Sequence, residues 1–352
     1  MFLDTDIVLN VLIENGAGVD LMGKTIYLMS SGELKRKDNT IVVEGQEGRK
    51  FLPVEMTDEL MVFGEITLNK EFLEFATKNQ LMLHFFNHYG YYSGTYYPRE
   101  HLNSGAVILN QVSHYIDTGK RQTVAIRFVC GAIRNMQKVL AYYKNRDKSG
   151  LDNAIENLEI HYKSAQNTLD ISELMAQEGN ARDKYYSYFD SITEKSAFIF
   201  SQRTRRPPQN RMNALISFLN TMCYILCLSQ IYRTHLDPRI GFLHEANFRR
   251  FSLNLDIAEI FKPVIVDRLI FTLLNKEEIK ANHFSSKAGG IYLNDSGREI
   301  VLRKWEERVQ TTIEHPGLKR NVSYRRLVRM EAYKLEKHIL GDQEYEPFLT
   351  RW

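Results

Sequence analysis

The stretch MNALISFLNTMCYILCLSQIY, from Met212 to Tyr232, is 21 residues without a charge, and it limits the chain to two kinds of structure. A run of that length either crosses a bilayer or is surrounded by other protein. Asn213, Ser217, Asn220, Thr221, Ser229 and Gln230 put polar groups into it, and no other segment resembles a span. It therefore reads as the central buried helix of a helical domain. Cys223 and Cys227 lie four apart within it, which is helical spacing on an apolar face; without a histidine pair nearby they read as buried thiols rather than zinc ligands. With Cys130 the chain has only three cysteines. That is too few for a disulfide framework and fits a reducing compartment.

A buried helix of this length needs other helices around it, and the sequence supplies them after His101. AVILNQVSHYI, VAIRFVCGAIRNMQKVLAYY, LDNAIENLEIHYKSAQ and ISELMAQEGNARDKYYSYF each repeat apolar residues at three- and four-residue spacing. Residues 147–150 and 206–209 read as loops. From Lys24 to about Arg99 the pattern is shorter: KTIYLMS, LKRKDNTIVVE, RKFLPVEM, LMVFGEITL, LMLHFF and YYSGTYYP are strand-length runs bounded by Gly, Asn and Asp. Residues 37–40 read as a hairpin turn, and one short amphipathic helix is expected from about Asn69 to Lys78. The fold class is α+β: a small strand-rich domain at 24–100 and a larger all-α domain at 101–352. Residues 1–23 form an N-terminal extension that fits neither pattern, with Met22 as a second candidate start. No basic region precedes the first apolar positions, and Asp4, Asp6 and Glu14 interrupt them. A signal peptide is therefore not expected, and a cytoplasmic location is.

The chemistry concentrates in GFLHEANFRRFSLNLDIAEIFKP, residues 241–263. HLDPRIG, at 235–241, ends one helix and delivers His244 on a loop. From Ser252, a possible N-cap, SLNLDIAEIF turns helical, so Asp256 and Glu259 share a helix face as i and i+3 neighbours. Like charges side by side repel unless a cation lies between or beside them. Pro263 would leave the carbonyl of Glu259 without its backbone donor, breaking the geometry beside the acid. The commoner arrangement for such acids is solvation or pairing with Arg249, Lys262 or Arg268. The alternative is a hard divalent cation, which carboxylates with one imidazole suit better than zinc. That alternative needs a further carboxylate, for which Glu178 is the candidate. It lies on a helix with Glu173, Arg182, Asp183 and Lys184, and Gly179 beside it lets another element approach closely. Glu245 reads as a bystander.

Charge placement bears on substrate, because a net charge of +3 imposes no field on the whole molecule. Residues 195–211, KSAFIFSQRTRRPPQNR, hold five basic residues and no acid, whereas 301–337 hold ten basic against five acidic. Basic loops beside a hard-metal site are what phosphodiester chemistry needs, although a solvated helix face accounts equally well for 301–337. Arg203, Arg205, Arg206 and Arg211 are the candidates for contacts to a DNA backbone. Tyr91, Tyr92, Tyr96 and Tyr97 offer faces on which bases stack, but a glycine-punctuated strand pair accounts for them more simply. His84 and His88, four apart in strand-like surroundings, do not have ligand spacing.

Three of these stretches together resemble one family, the CRISPR-associated endonuclease/integrase of spacer acquisition (Cas protein one). EGNARDKYY resembles its glutamate motif, DPRIGFLHEANFRRFSLNLDIAEIFKPVIVDRL its histidine motif and acidic helix, and GGIYLNDSGREIVLRKWEERV its late hairpin and helix. NHYGYYSGTYYPRE and SSGELKRKDNTIVVE are similar to its β domain and junction. The resemblance implies that Glu178, His244 and Glu259 hold a divalent metal, Mg2+ or Mn2+, with Asp256 as an acid beside that catalytic site. Glu259 stands where some members have aspartate, and Lys262 where many have arginine. It further implies a homodimer formed through the β domain, and a heterohexamer in which two such dimers flank a dimer of the small partner Cas protein two. The implied reaction is insertion of captured double-stranded DNA into a CRISPR repeat, by attack of a 3′-hydroxyl on the repeat phosphodiester, in antiviral defence. Two other readings stay open: a catalytically silent DNA-binding scaffold of the same fold, and a nuclease acting on RNA or branched DNA without integration.

Overall fold

Alternating runs and helical runs separate into two units, residues 1–101 and 102–352, in the computed structural model. It describes residues 8–9, 23–46, 48–246, 251–315 and 317–351. Arg249 and most of the N-terminal extension lie outside the described residues, so the pairing considered for Arg249 and the reading of 1–22 do too.

The first unit runs β1 (Val8–Leu9), β2 (Lys24–Leu28), β3 (Gly32–Lys37), β4 (Thr40–Gly45), β5 (Gly48–Pro53), β6 (Thr57–Val62), β7 (Ile66–Leu68), α1 (Lys70–Lys78), β8 (Met82–Phe86) and β9 (Tyr92–Tyr96). One sheet has the order β1-β2-β6-β8-β9, with a parallel centre and antiparallel edges; the other has the order β5-β4-β3-β7. The apolar residues of each alternating run point the same way. Leu34, Ile41, Val43 and Leu52 thereby share one core with Ile26, Leu28, Leu60, Val62 and Leu83, and Phe72, Phe75 and Ala76 of α1 join it. The expected hairpin pairs Lys37 with Thr40, and Asp38 at φ +54° takes the left-handed corner. Asn69 caps α1 by accepting from the Phe72 amide. His84 is buried, with Nδ1 2.7 Å from Thr95 Oγ1 and Nε2 3.4 Å from Glu59.

The second unit is built around α3 (Thr118–Lys144), α7 (Arg211–Ile231) and α8 (Leu253–Lys262), with α2 (Gly105–Ile116), α4 (Asp152–Asn167), α5 (Ile171–Tyr186), α6 (Phe189–Thr193), α9 (Arg268–Asn275), α10 (Asp295–Gln310) and α11 (Tyr324–Leu340) around them. Two short antiparallel hairpins are added to the helices: β10 (Phe284–Lys287) with β11 (Gly290–Leu293), and β12 (Thr312–His315) with β13 (Arg320–Ser323). Helix α7 is the uncharged run, and the unit surrounds it as the composition requires. Met212 through Ile231 are buried on almost every side, Cys223 and Cys227 included. Among the described residues it is the one helix long and apolar enough to cross a membrane. Asp117, Asp170, Asn210, Asn294 and Ser323 each accept a backbone N–H at a helix start, which explains why the boundaries fall close to the sequence pattern.

Helix α8 does not end at Pro263. The chain continues through a π-helical turn, Pro263–Asp267, straight into α9. A π turn absorbs a missing N–H without breaking the rod, so the break expected beside Glu259 is a change of helical register.

The C-terminal segment is tied to this rod by one buried side chain. Asn135 on α3 donates to the Ile260 carbonyl and to the Phe348 carbonyl, both at 2.9 Å, and accepts from the Thr350 amide at 3.0 Å. Phe348 stacks on Phe261 with ring centres 5.3 Å apart.

Candidate metal centre

His244 is placed by an acid rather than by its own loop. Asp256, wholly buried on α8, accepts the amides of Phe242 at 2.6 Å and Leu243 at 3.1 Å on Oδ2, and the His244 amide at 2.9 Å on Oδ1. The same Oδ1 lies 2.8 Å from His244 Nδ1. A carboxylate bound to Nδ1 fixes that nitrogen as the N–H donor, which leaves the Nε2 lone pair free for a ligand. Burial opposes charging the imidazole, but Asp256, helped by Glu259, outweighs it and the His244 pKa is raised. The loop approaches so closely that a Cβ at Gly241 would stand 2.8 Å from Asp256 Oδ2 and 2.9 Å from the Ser252 backbone. Only glycine fits there.

Ser252 is not the N-cap that its position suggests. Its hydroxyl donates to the Arg239 carbonyl at 2.7 Å and accepts from the Gly241 amide at 2.9 Å, so it ties the loop instead of capping α8.

Glu259 lies on the next turn of α8 and meets Glu178 of α5 through a cation. Arg182 Nε donates to Glu178 Oε1 at 2.7 Å, and Arg182 Nη2 donates to Glu259 Oε2 at 2.5 Å. Lys262 donates to the other Glu259 oxygen at 2.5 Å and sits 4.6 Å from the centre of the Tyr224 ring. All four side chains are largely withdrawn from solvent: Glu178 is 16% exposed and Glu259 5%. Burial works against the Glu259 charge, yet Arg182 and then Lys262 hold its pKa well below the usual carboxylate range. Burial and the neighbouring Glu259 charge raise that of Glu178, against Arg182 and Lys262. The i and i+3 relation anticipated for Asp256 and Glu259 is present, but among the described residues the two acids have separate hydrogen-bond partners.

Of the expected site residues, the fold therefore draws Glu178 and Glu259 to one guanidinium and holds His244 close enough for its charge to act on Glu259. Asp256 stands behind the imidazole as a positioning residue whose oxygens already accept four N–H groups. Among the described residues, no three acidic, cysteine or histidine side chains as placed form a ready-made metal cluster. The donor types still fit a hard divalent cation: two carboxylates, one imidazole with its free nitrogen selected, and little solvent. Glu178, Glu259 and His244 Nε2 are the groups that would hold it, in exchange for contacts now made by Arg182. Gly179 does not serve close approach, since a Cβ there would meet nothing within 4 Å. Glu245 is exposed.

Two residues escaped sequence reasoning as parts of this site. Arg182 bridges the two acids; its position four residues after Glu178 was the available signal. Lys262, expected as a pairing partner, does pair with Glu259. Asp267, at the end of the π turn, is fully buried, neither of its oxygens has a hydrogen-bond partner among the described residues, and burial pushes its pKa up to about 7.

The four loop arginines divide. Arg203 donates to the Thr204 carbonyl, to Asn213 Oδ1 and to Ser217 Oγ, and burial lowers its pKa. Arg211 donates to the Ala197 carbonyl at 3.1 Å. Arg205 and Arg206 are exposed. In 301–337, Arg325 is buried against Glu306 at 3.0 Å, while Lys304 and Lys334 pair with acids. That face is therefore partly neutralised.

Strand-rich and helical units, with a buried carboxylate–histidine centre in the helical one, define an α+β protein. Residues 26–307 match the family model described as CRISPR associated protein Cas1. The chain is 55% identical over 333 residues to the CRISPR-associated endonuclease Cas1 2 of Thermodesulfovibrio yellowstonii, spanning 94% of this chain and 100% of that one. A solved CAS1 protein from Thermotoga maritima superposes with a TM-score of 0.84 at 47% identity, over 93% of this chain and all of that one. The chain belongs to the Cas1 family. A Cas6-RT-Cas1–Cas2 complex shares the fold at TM-score 0.83 and 18% identity, covering 95% of this chain and 37% of that one.

Proposed function

We propose that the chain is a divalent-metal-dependent DNA endonuclease/integrase that joins captured DNA to a CRISPR repeat, working with Cas protein two. The observation that carries this reading is the meeting of Glu178 and Glu259, from separate helices, at one guanidinium beside an imidazole whose Nδ1 is committed to Asp256. A bound Mg2+ or Mn2+ would supply Lewis-acid polarisation of the scissile phosphate and neutralise charge on the leaving oxygen. The chain's own residues do the rest. Glu178, Glu259 and His244 Nε2 offer the donor set, Asp256 fixes the ring, and the buried surroundings strengthen every charge interaction there. Arg205 and Arg206 are free to meet phosphates, and such contacts track the backbone without reading sequence. The strand-rich unit is the proposed homodimer contact, and two dimers around a Cas protein two dimer the proposed assembly.

The test is strand joining with the partner protein, using a short duplex with free 3′ ends, a repeat-bearing plasmid, and Mn2+ or Mg2+. Wild type should join the DNA, and Glu178→Ala and His244→Ala should not; equal joining by the variants would sink the assignment. One observation favours the scaffold reading instead: Arg182 and Lys262 already neutralise both carboxylates. Tight DNA binding without joining, in wild type and variants alike, would decide for it.

A further inference from the structure

Five polar atoms in one part of the helical unit are buried without a hydrogen-bond partner among the described residues. They are Arg182 Nη1, the hydroxyls of Tyr185 and Tyr186, and both oxygens of Asp267. The first three side chains follow Glu178 on α5, and Asp267 closes the π turn that follows Glu259. The groups act on one another. Burial raises the pKa of both tyrosines and of Asp267, and the Arg182 charge pulls each of them back. The Tyr185 hydroxyl also lowers the Asp267 pKa, but neither Asp267 oxygen has a close hydrogen-bond partner among the described residues, and a buried carboxylate so placed is costly.

Charge arithmetic indicates which partner. Glu178 and Glu259 carry two negative charges, and Arg182 and Lys262 two positive ones. A divalent cation on the two carboxylates adds two more positive charges to the same dry volume, and it competes with Arg182 for the same oxygens. Lys262 has no reason to move, since it keeps the other Glu259 oxygen and the Tyr224 ring. Arg182 has somewhere to go.

We propose that Asp267 is the alternative seat of Arg182, so that a divalent cation taking Glu178 and Glu259 drives the guanidinium across to Asp267. The proposal rests on the metal reading of the site given above. Arg182 and Asp267 are positioning residues in it: they touch no substrate, and they set how tightly the centre holds its ion. A pKa near 7 keeps Asp267 close to ionisation, and the added positive charge completes it.

The test is Mn2+ titration of the full-length protein, followed by the electron paramagnetic resonance of free Mn2+. Asp267→Asn should bind Mn2+ about tenfold more weakly than wild type, a change of about 1.4 kcal/mol. Arg182→Gln, which removes the competitor, should bind more tightly. In the double variant the Asp267→Asn loss should vanish. Arg182→Lys, which keeps the charge but cannot bridge two acids, replaces Arg182→Gln if that variant does not fold. The same Asp267→Asn loss with and without Arg182, or none at all, overturns the exchange and leaves the metal reading standing. If wild type shows no saturable Mn2+ binding that Glu178→Gln abolishes, the metal reading falls and the exchange falls with it.

Discussion

Asp256→Asn is nearly isosteric and strikes at a single point. The carboxylate accepts four N–H groups, two on each oxygen. An amide keeps one oxygen for two of them and turns an NH2 toward the other two. Each buried donor left unpaired costs about 1–3 kcal/mol, so the variant should lose about 3–5 kcal/mol, the range found when one partner of a buried charged pair is removed. Part of that loss depends on pH. Because the His244 pKa is raised in the fold, its pairing with Asp256 stabilises fully below the unfolded value of about 6.5 and fades as pH rises through the folded value. The deficit should therefore be larger at pH 5.5 than at pH 9, where the three backbone donors still contribute. Trp305 is buried in the helical unit, so urea unfolding followed by tryptophan fluorescence reports that unit. In the variant the His244 pKa should fall in an NMR titration as the Asp256 pairing is lost, and Mn2+ affinity should drop about 10- to 100-fold as the ring loses its anchor. A loss under about 1 kcal/mol at both pH values, with an unmoved His244 pKa, would refute the positioning role.

Arg205→Ala with Arg206→Ala should weaken DNA binding about equally across sequences and flatten the slope of log K against log salt by about 1.8, two phosphate contacts at about 0.9 each. Arg203→Ala should lower thermal stability instead, because its guanidinium holds Thr204, Asn213 and Ser217; an altered salt slope with unchanged stability would contradict this. Asp267→Asn should be more stable than wild type above pH 7: a carboxyl moved from 3.8 to about 7 makes wild type lose up to about 4 kcal/mol as pH rises through that window, and urea midpoints at pH 5 and pH 8 measure it. Asn135→Ala should cost about 3 kcal/mol by removing the hydrogen bonds to Ile260, Phe348 and Thr350, with faster hydrogen exchange at the Thr350 amide; exchange there as slow as wild type would exclude the tie.

Elements set by local pattern were legible in the sequence, and those set by distant contacts were not. The uncharged run at 212–232 determined its own burial, and strand alternation in LKRKDNTIVVE located a hairpin to the residue. Caps such as Asn69 and Asp170 act on amides three residues away, so the helix starts that they fix lie close to the apolar pattern. Ser252 failed as a cap because its hydroxyl answers to Arg239 and Gly241, which fold back onto it. Gly179 failed because whether a missing Cβ matters depends on a neighbour that the chain order does not name. Of the short hairpins among the helices, the one ending in Gly290–Leu293 falls in the stretch that resembles the family's late hairpin, whereas the four-residue strands of the other gave no signal in the sequence.

The site itself divides along the same line. Residues rich in donors advertise themselves, so Glu178, His244 and Glu259 could be singled out by type and spacing. What holds them is less visible. Asp256 was expected as an acid beside the centre; three consecutive backbone amides and one ring nitrogen consume it, a role fixed by loop curvature. Arg182 is an ordinary surface-type residue on its helix until the fold buries it and brings Glu259 of α8 against its guanidinium. Pro263 links the two levels. By shifting the helix into a π turn it carries the chain on, unbroken, to an aspartate whose oxygens have no close hydrogen-bond partner among the described residues. A straight α-helix would set Asp267 at a different angle, so the register change that looked like damage beside Glu259 is what stations a second carboxylate within reach of Arg182's charge.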